Sequence, residues 1–290
     1  MRDNVCINGE LVPKGKAMVS VFDRGFLYGD GVFETVRIYN GIPFMLDEHM
    51  ERLIAGLKTL RFQRLPAGIK VYASRIIEAN KVGNGILRIA VTRGEVEAGI
   101  DPLACKEPTV VITAKEGIPY NDELYSRGFR AIVAKIRKDR NSPLCRVKST
   151  NFLTHILARG EATDAGVDEA VMLNYEGSLT EGTVSNLFLA KGDTIFTPSI
   201  ESGILPGVTR KVVIELAREM GFKVTEGEIK PEELLGGDEA FLTNSLLEVM
   251  PLVEVNRQAV SDGLSGKITA ALRKTYIDLV KSKITPSPLQ

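Results

Sequence analysis

Strand-like runs and helical patterns alternate along this chain, separated by breaks rich in Gly, Pro and Asn, and that alternation confines it to a mixed α+β fold. Val5 to Ile7, an Asn8-Gly9 turn and Leu11-Val12 read as an opening hairpin. From Leu46 the apolar positions Met50, Leu53, Ile54 and Leu57 recur at helical spacing, with Asp47 placed to cap the start. A second helical stretch runs near Val71 to Ala79, before Gly83-Asn84-Gly85. Ile86 to Thr92 reads as a strand with Leu87, Ile89 and Val91 on one face. Ile86, Arg88, Ala90 and Thr92 share the other, so Arg88 points where the strand is least apolar.

A strand at Thr109 to Ala114 runs into Lys115-Glu116-Gly117-Ile118-Pro119-Tyr120-Asn121-Asp122, which has the composition of a connection. The expected organisation is a small N-terminal domain at 1–117, an interdomain loop at 118–127 and a larger domain at 128–290. In the larger domain, strands are expected at Phe129 to Ile136, Glu169 to Tyr175, Asn186 to Ala190, Thr194 to Thr197, Phe222 to Ile229 and Ala240 to Thr243. Helices are expected near Phe152 to Ala165, Thr209 to Met220 and Leu264 to Lys281, with Gly221 stopping the second in a left-handed conformation. No internal repeat interrupts this order, and only the Thr285-Pro286-Ser287-Pro288 tail has low complexity.

Composition excludes several functions. With 37 basic and 37 acidic residues the chain lacks the field of a nucleic-acid binder. Cys6, Cys105 and Cys145 are odd in number and widely spaced, and His49 and His155 are the only histidines, so neither a disulfide framework nor a zinc site is expected. No apolar run approaches the roughly 20 residues of a membrane helix, and no apolar signal region follows Met1-Arg2-Asp3-Asn4. A cytoplasmic protein is the expectation.

Two segments carry more specific information: Val147-Lys148-Ser149-Thr150-Asn151-Phe152-Leu153, and Leu179-Thr180-Glu181-Gly182-Thr183-Val184-Ser185-Asn186. Together with Asp23-Arg24-Gly25-Phe26-Leu27-Tyr28-Gly29-Asp30-Gly31-Val32-Phe33-Glu34-Thr35, they resemble the fold-type IV pyridoxal-phosphate enzymes. That family holds branched-chain aminotransferases, D-amino-acid aminotransferases and aminodeoxychorismate lyase. The resemblance extends from Asn8 to Pro251 and implies a two-domain enzyme whose larger domain carries a barrel-like sheet.

By that resemblance Lys148 holds pyridoxal 5′-phosphate and serves as the general base, and Glu181 keeps the cofactor's ring nitrogen protonated. Such a lysine must be unprotonated to react, which burial and neighbouring cations favour. Taken alone, Lys148 would read as a surface lysine and Glu181 as a turn residue. The segment Gly203-Ile204-Leu205-Pro206-Gly207-Val208-Thr209-Arg210 leads into a helix, so the Val208 and Thr209 amides and the Thr209 hydroxyl form a candidate phosphate cradle; the plain alternative is a threonine cap. Ser245, in what reads as a second strand-to-helix turn, is similar to the family's phosphate-binding hydroxyl, and the amides beside it, Leu246 included, are candidates for the substrate carboxylate. Arg52 resembles the arginine aimed at the phosphate, but would otherwise pair with Glu48 one turn away.

Tyr28 and Phe33 are candidate walls of the substrate pocket. Arg88 and Arg24 are candidate carboxylate forks, Arg24 by family geometry entering a partner subunit's site; a hairpin ion pair from Arg24 to Asp23 or Asp30 stays open as the alternative.

The chain also departs from its relatives. The Arg-x-His trap usual in D-amino-acid enzymes is absent where Ala98-Gly99-Ile100 stands. The tyrosine that branched-chain enzymes carry after the lysine is Phe152, and their Gly-Glu-Asn is Val184-Ser185-Asn186. Phe33-Glu34-Thr35, Ser185-Asn186 and Thr243-Asn244-Ser245 look like the lyase, whereas Glu248-Val249-Met250-Pro251 resembles D-amino-acid enzymes. The expected activity is transamination between an α-amino acid and a 2-oxo acid, with a slight preference for D-amino acids and an atypical arginine trap. Aminodeoxychorismate lyase, L-branched-chain aminotransferase and a scaffold without turnover are the alternatives. A homodimer or higher homo-oligomer is expected, with no nucleic-acid or membrane partner.

Overall fold

The computed structural model describes residues 3–96, 99–105, 107–117 and 119–284. Ala98 of the missing-trap stretch, Ile118 of the expected connection, and the Thr285-Pro286-Ser287-Pro288 tail lie outside the described residues. The chain divides into two compact units. The first takes the described residues up to 117 together with Val147–Phe152, and the second takes residues 119–146 and 153–284.

The first unit contains β1 (Asn4–Ile7), β2 (Glu10–Pro13), α1 (Arg24–Tyr28), β3 (Gly31–Tyr39), β4 (Ile42–Pro43), α2 (Leu46–Thr59), α3 (Ile69–Ala79), β5 (Gly85–Thr92) and β6 (Thr109–Glu116). Its six strands are antiparallel in the order β2-β1-β6-β5-β3-β4. Asn8 and Gly9 both have positive φ, the conformation a two-residue hairpin loop requires, and Ile7 pairs with Glu10 across it. Leu87, Ile89 and Val91 are fully buried and Arg88 is exposed, as the alternation on β5 demands. Met50, Leu53 and Leu57 of α2 and Ala73, Ile76 and Ile77 of α3 cover that face. Each fully buried aliphatic side chain here contributes roughly 1.5–3 kcal/mol. Asp47 is not the cap: α2 starts from Met45 in a left-handed conformation, and Asp47 sits in the first turn, paired with Lys70.

The second unit contains α4 (Asp122–Arg127), β7 (Phe129–Lys138), α5 (Leu153–Asp164), β8 (Glu169–Asn174), β9 (Leu179–Gly182), β10 (Asn186–Lys191), β11 (Thr194–Pro198), α6 (Val208–Glu219), β12 (Lys223–Gly227), α7 (Pro231–Leu235), β13 (Glu239–Asn244), β14 (Glu248–Val255), β15 (Gln258–Ala259) and α8 (Lys267–Ile284). Helix α4 lies within the range expected to be a loop, capped by the Asn121 side chain. Strands β10-β13-β14-β7-β8-β9 run in order and β9 returns to β10, closing a six-stranded barrel; β11 and β12 extend from β10, and β15 from β14. Closure leaves no edge among these six.

Strands β7 and β8 are parallel and therefore need a long crossover, which carries Val147–Phe152 and then α5. Strand β9 was not foreseen, and the turn after β13 leads into strand β14 where a helix was expected. Gly221, at φ 90°, does end α6. Among the described residues, no helix is long and apolar enough to cross a membrane.

Candidate active site

In the first unit, Lys148 is held by its backbone and half-buried. Its carbonyl accepts from Phe33 N at 2.9 Å, Ser149 forms a bridge with Val32, and Thr150 donates to Gly31 O through its amide and to Gly29 O through its hydroxyl. Val147 packs into the first unit's core, next to Gly56. Lys148 thus stands two residues after a 3-10 turn at Pro143–Arg146, outside any regular strand. Lys148 Nζ is 4.6 Å from the Phe33 ring centroid and 6.0 Å from that of Phe152, and the two rings meet edge-to-face at 5.5 Å. The Arg88 guanidinium lies 4.2 Å from the Phe33 centroid. It has no hydrogen-bond or ion-pair partner among the described residues. Lys148, Phe33, Phe152 and Arg88 are therefore brought together.

The other two candidate arginines of this unit, Arg52 and Arg24, are engaged. Arg52 gives Nε and Nη2 to the two oxygens of Glu34, at 2.8 and 2.7 Å, rather than pairing with Glu48, and His49 Nδ1 lies 2.6 Å from Glu34 Oε2. Burial raises the Glu34 carboxyl, but the Arg52 charge and hydrogen bonds, with help from His49, outweigh it and hold its pKa at about 2. Burial pulls His49 below its ordinary value, against the hydrogen bond and charge of Glu34. Glu34 and His49 were missed in the sequence, although a signal existed. Val32, Glu34, Val36 and Ile38 form one buried row of β3, and a carboxylate in such a row requires a partner.

Arg24 is buried against Asp30 and donates to the carbonyls of Asp101 and Ile100 at 2.9 and 3.0 Å. Asp30 is also gripped by Arg93. Arg24 therefore follows the hairpin alternative to Asp30, and its fork is committed within its own chain. Tyr28, at the end of α1, is exposed, with its ring 5.6 Å from the Arg24 guanidinium.

In the second unit Glu181 is buried on β9. Lys138, equally buried at the end of β7, pairs with Glu181 Oε1; Leu205 N and Asn186 Nδ2 donate to Oε2 at 3.0 and 3.4 Å. Asn186 Nδ2 also donates to Leu205 O, and a Cβ on Gly207 would lie 2.0 Å from Asn186 Oδ1, so only glycine fits there. Gly207 then starts α6 without a side-chain cap, and the amides of Val208 and Thr209, both buried, fall in the first turn, where no helical carbonyl reaches them.

Ser245 occupies the turn between β13 and β14. The Leu246 amide, expected to be open to a substrate carboxylate, donates instead to Asn244 Oδ1 at 2.8 Å, as does Leu247 N at 2.7 Å. Buried Thr243 Oγ1 has no hydrogen-bond partner among the described residues.

These residues suit a phosphate-bearing pyridine aldehyde. The first unit has a half-buried amine that could meet an aldehyde; the second has a buried acid that could face a ring nitrogen and, separately, a helix start without a side-chain cap, whose dipole favours an anion.

Residues 31–255 match the family described as Amino-transferase class IV. The chain is 38% identical to a putative branched-chain-amino-acid aminotransferase of Methanocaldococcus jannaschii, over 95% of this chain and 96% of that one. It is 35% identical to aminodeoxychorismate lyase of Bacillus subtilis (97% and 96%) and 33% identical to D-alanine aminotransferase of Bacillus licheniformis (91% and 93%). Among solved structures, the branched-chain amino acid aminotransferase of Escherichia coli superposes at a TM-score of 0.90 and 29% identity, covering 99% of this chain and 97% of that one. The chain therefore belongs to the class IV aminotransferases, whose cofactor is pyridoxal 5′-phosphate.

Proposed function

We propose that this enzyme transfers an amino group between an α-amino acid and a 2-oxo acid, with a slight preference for D-amino acids. The observation that carries the reading is Arg88, a cation without an acidic partner among the described residues, set on the same Phe33 ring as Lys148. A planar fork suits a carboxylate bidentately, so Arg88 binds and orients the substrate while Phe33 and Tyr28 bound its side chain. Arg24, first expected to share that task, has its donors on Asp30 and two carbonyls, which leaves Arg88 as the arginine of an atypical trap. The D-preference is supported by the Glu248-Val249-Met250-Pro251 segment and by the 33% identical D-alanine enzyme.

When bound, the cofactor supplies an electron sink for negative charge at the substrate α-carbon. Lys148 Nζ tethers it and moves the proton at that carbon, and Glu181 holds a proton at the ring nitrogen. Val208 and Thr209 N–H groups, the Thr209 hydroxyl, Ser245 and Arg52, the last oriented by Glu34, bind the phosphate.

Purified enzyme mixed separately with D-alanine, D-glutamate and L-leucine tests the reading. Bleaching of the visible cofactor band is expected, faster with the D-amino acids; an unchanged band with all three would overturn it. Faster bleaching by L-leucine would overturn the chirality alone. Elimination of pyruvate from aminodeoxychorismate is a second reading, favoured by Phe33-Glu34-Thr35, Ser185-Asn186 and Thr243-Asn244-Ser245 and by the 35% identical lyase. Release of 4-aminobenzoate would establish it.

Association into a homodimer is part of the same proposal. Met18, Val21, Phe22 and Phe26 are large apolar side chains exposed within residues 18–26 of the first unit, with Met18 82% and Phe26 74% exposed. Light scattering on a size-exclusion column is expected to give at least twice the 31.7 kDa chain mass.

A further inference from the structure

An ionised carboxylate offers about four lone-pair sites to donors. At Glu181 three are taken: Lys138 Nζ fills one on Oε1, and Leu205 N and Asn186 Nδ2 fill both on Oε2. The remaining site is on Oε1, beside the lysine. Neither side chain of the pair is more than 6% exposed, so water does not compete freely for that position. Lys138 has no other acceptor among the described residues, and it reaches Glu181 from the last residue of β7, a strand firmly paired to β8 and β14.

We propose that Lys138 is the positioning residue of Glu181. By occupying one lone pair of Oε1, it leaves the acid a single direction in which to receive a ligand's N–H. That ligand is the protonated ring nitrogen of the cofactor, so the inference rests on the reading above. The Oε2 side fixes the rest of the geometry. Asn186 and Leu205 bind each other as well as Glu181, and the close approach of Gly207 to Asn186 joins the acid to the loop that begins the phosphate cradle. Acid and cradle therefore form one rigid fixture within the second unit, and Lys138 sets its open lone pair. Lysine is a point charge that fills one site, whereas a bidentate fork would cover both oxygens.

The test uses wild type, Lys138→Met, Lys138→Arg, Glu181→Gln and the double variant Lys138→Met with Glu181→Gln. Two quantities are read: the dissociation constant of pyridoxal 5′-phosphate from the apoprotein, by fluorescence titration, and the position of the visible band in the loaded protein. Lys138→Met is expected to weaken binding by about tenfold to a hundredfold and to move the band in the direction that Glu181→Gln moves it. Lys138→Arg, whose fork would also cover the open site on Oε1, should keep the pair charged yet bind the cofactor more weakly than wild type. In the Glu181→Gln background, loss of the lysine should add less than about twofold, since paired residues are non-additive.

A Lys138→Met protein that melts earlier but keeps the wild-type band and affinity would overturn the proposal, as would full additivity in the double variant. Should Lys138→Met not accumulate, the double variant leaves no buried charge unpaired, and its comparison with Glu181→Gln decides. A wild-type protein that neither binds the cofactor nor shows a band would overturn the cofactor reading itself. A normal wild-type band that is unmoved in the variants removes only the role of Lys138.

Discussion

Glu169 and Glu181 are both buried carboxylates of the barrel, one at the start of β8 and one on β9, yet their surroundings differ in kind. Glu169 Oε1 accepts from Ala170 N, Thr183 N and Thr183 Oγ1, and Oε2 accepts from Ser185 Oγ at 3.0 Å. Neutral donors hold it on both oxygens, three of them on Oε1, and the Arg159 guanidinium stands off at 4.0 Å. Glu181 takes one cation and two amide donors and retains room for another. An acid held by four neutral donors from its own neighbourhood fixes local geometry; one held by a buried cation and two amides stays charged and can still act on something that arrives. Gly182 follows Glu181 directly, and a Cβ there would lie 2.2 Å from Ser185 Oγ and 2.9 Å from Glu169 Oε2.

The scale for breaking this contrast is set by Lys148→Ala, which should remove turnover by on the order of 10³-fold or more and abolish labelling at residue 148 on borohydride reduction. Next comes Glu181→Gln, expected to lower kcat by about a hundredfold, against Glu169→Gln, which should leave kcat and KM near wild type while costing about 1–3 kcal/mol of stability. Steady-state kinetics beside thermal melts decide. A Glu169 variant as inactive as the Glu181 variant would erase the distinction.

Arginines of the first unit extend the same test. Arg88→Ala should raise KM by about tenfold to a hundredfold with the cofactor spectrum intact. Arg24→Ala, which strips a committed fork from Asp30, should lower the melting temperature with less effect on KM. Loss of the cofactor in the Arg88 variant would reassign that residue.

The smallest expected effect on turnover belongs to Glu34, whose signature is acid sensitivity. Its folded pKa of about 2 lies below its ordinary 4.5, so its contribution is fully present above pH 4.5 and is lost as pH falls through about 2. That contribution amounts to roughly 3 kcal/mol. His49, depressed by burial, acts in the same direction, since below 6.5 the unfolded chain takes up the proton more readily. Denaturant melts from pH 7 to 3 should show stability falling throughout for wild type, with a flatter acid limb for Glu34→Gln.

Much of the fold was legible because period and turn chemistry act locally. Asn8-Gly9, the Leu87-Ile89-Val91 face and Gly221 each announce their conformation in a few residues. Strand β9 was hidden because Leu179-Thr180-Glu181-Gly182 is buried on every side and shows no alternation. For the same reason β14, a continuous apolar run, could be taken for a helix start. Lys148 and Glu181 were legible as segments similar to known enzymes, and Glu34 only as an anomaly in an apolar row. Lys138 carried no local sign, since its partner lies 43 residues away.

The sequence by itself determined a mixed fold, the lysine and acid segments, and a helix start suited to an anion, because each depends on neighbours within a turn or two of chain. Tertiary structure alone decided which charges stay open: Arg24 closed by carbonyls 76 and 77 residues away, Arg88 left on an aromatic ring, Glu181 held by Lys138. Hydrogen-bonding capacity is a sum over neighbours in space, and only the folded chain brings those neighbours together.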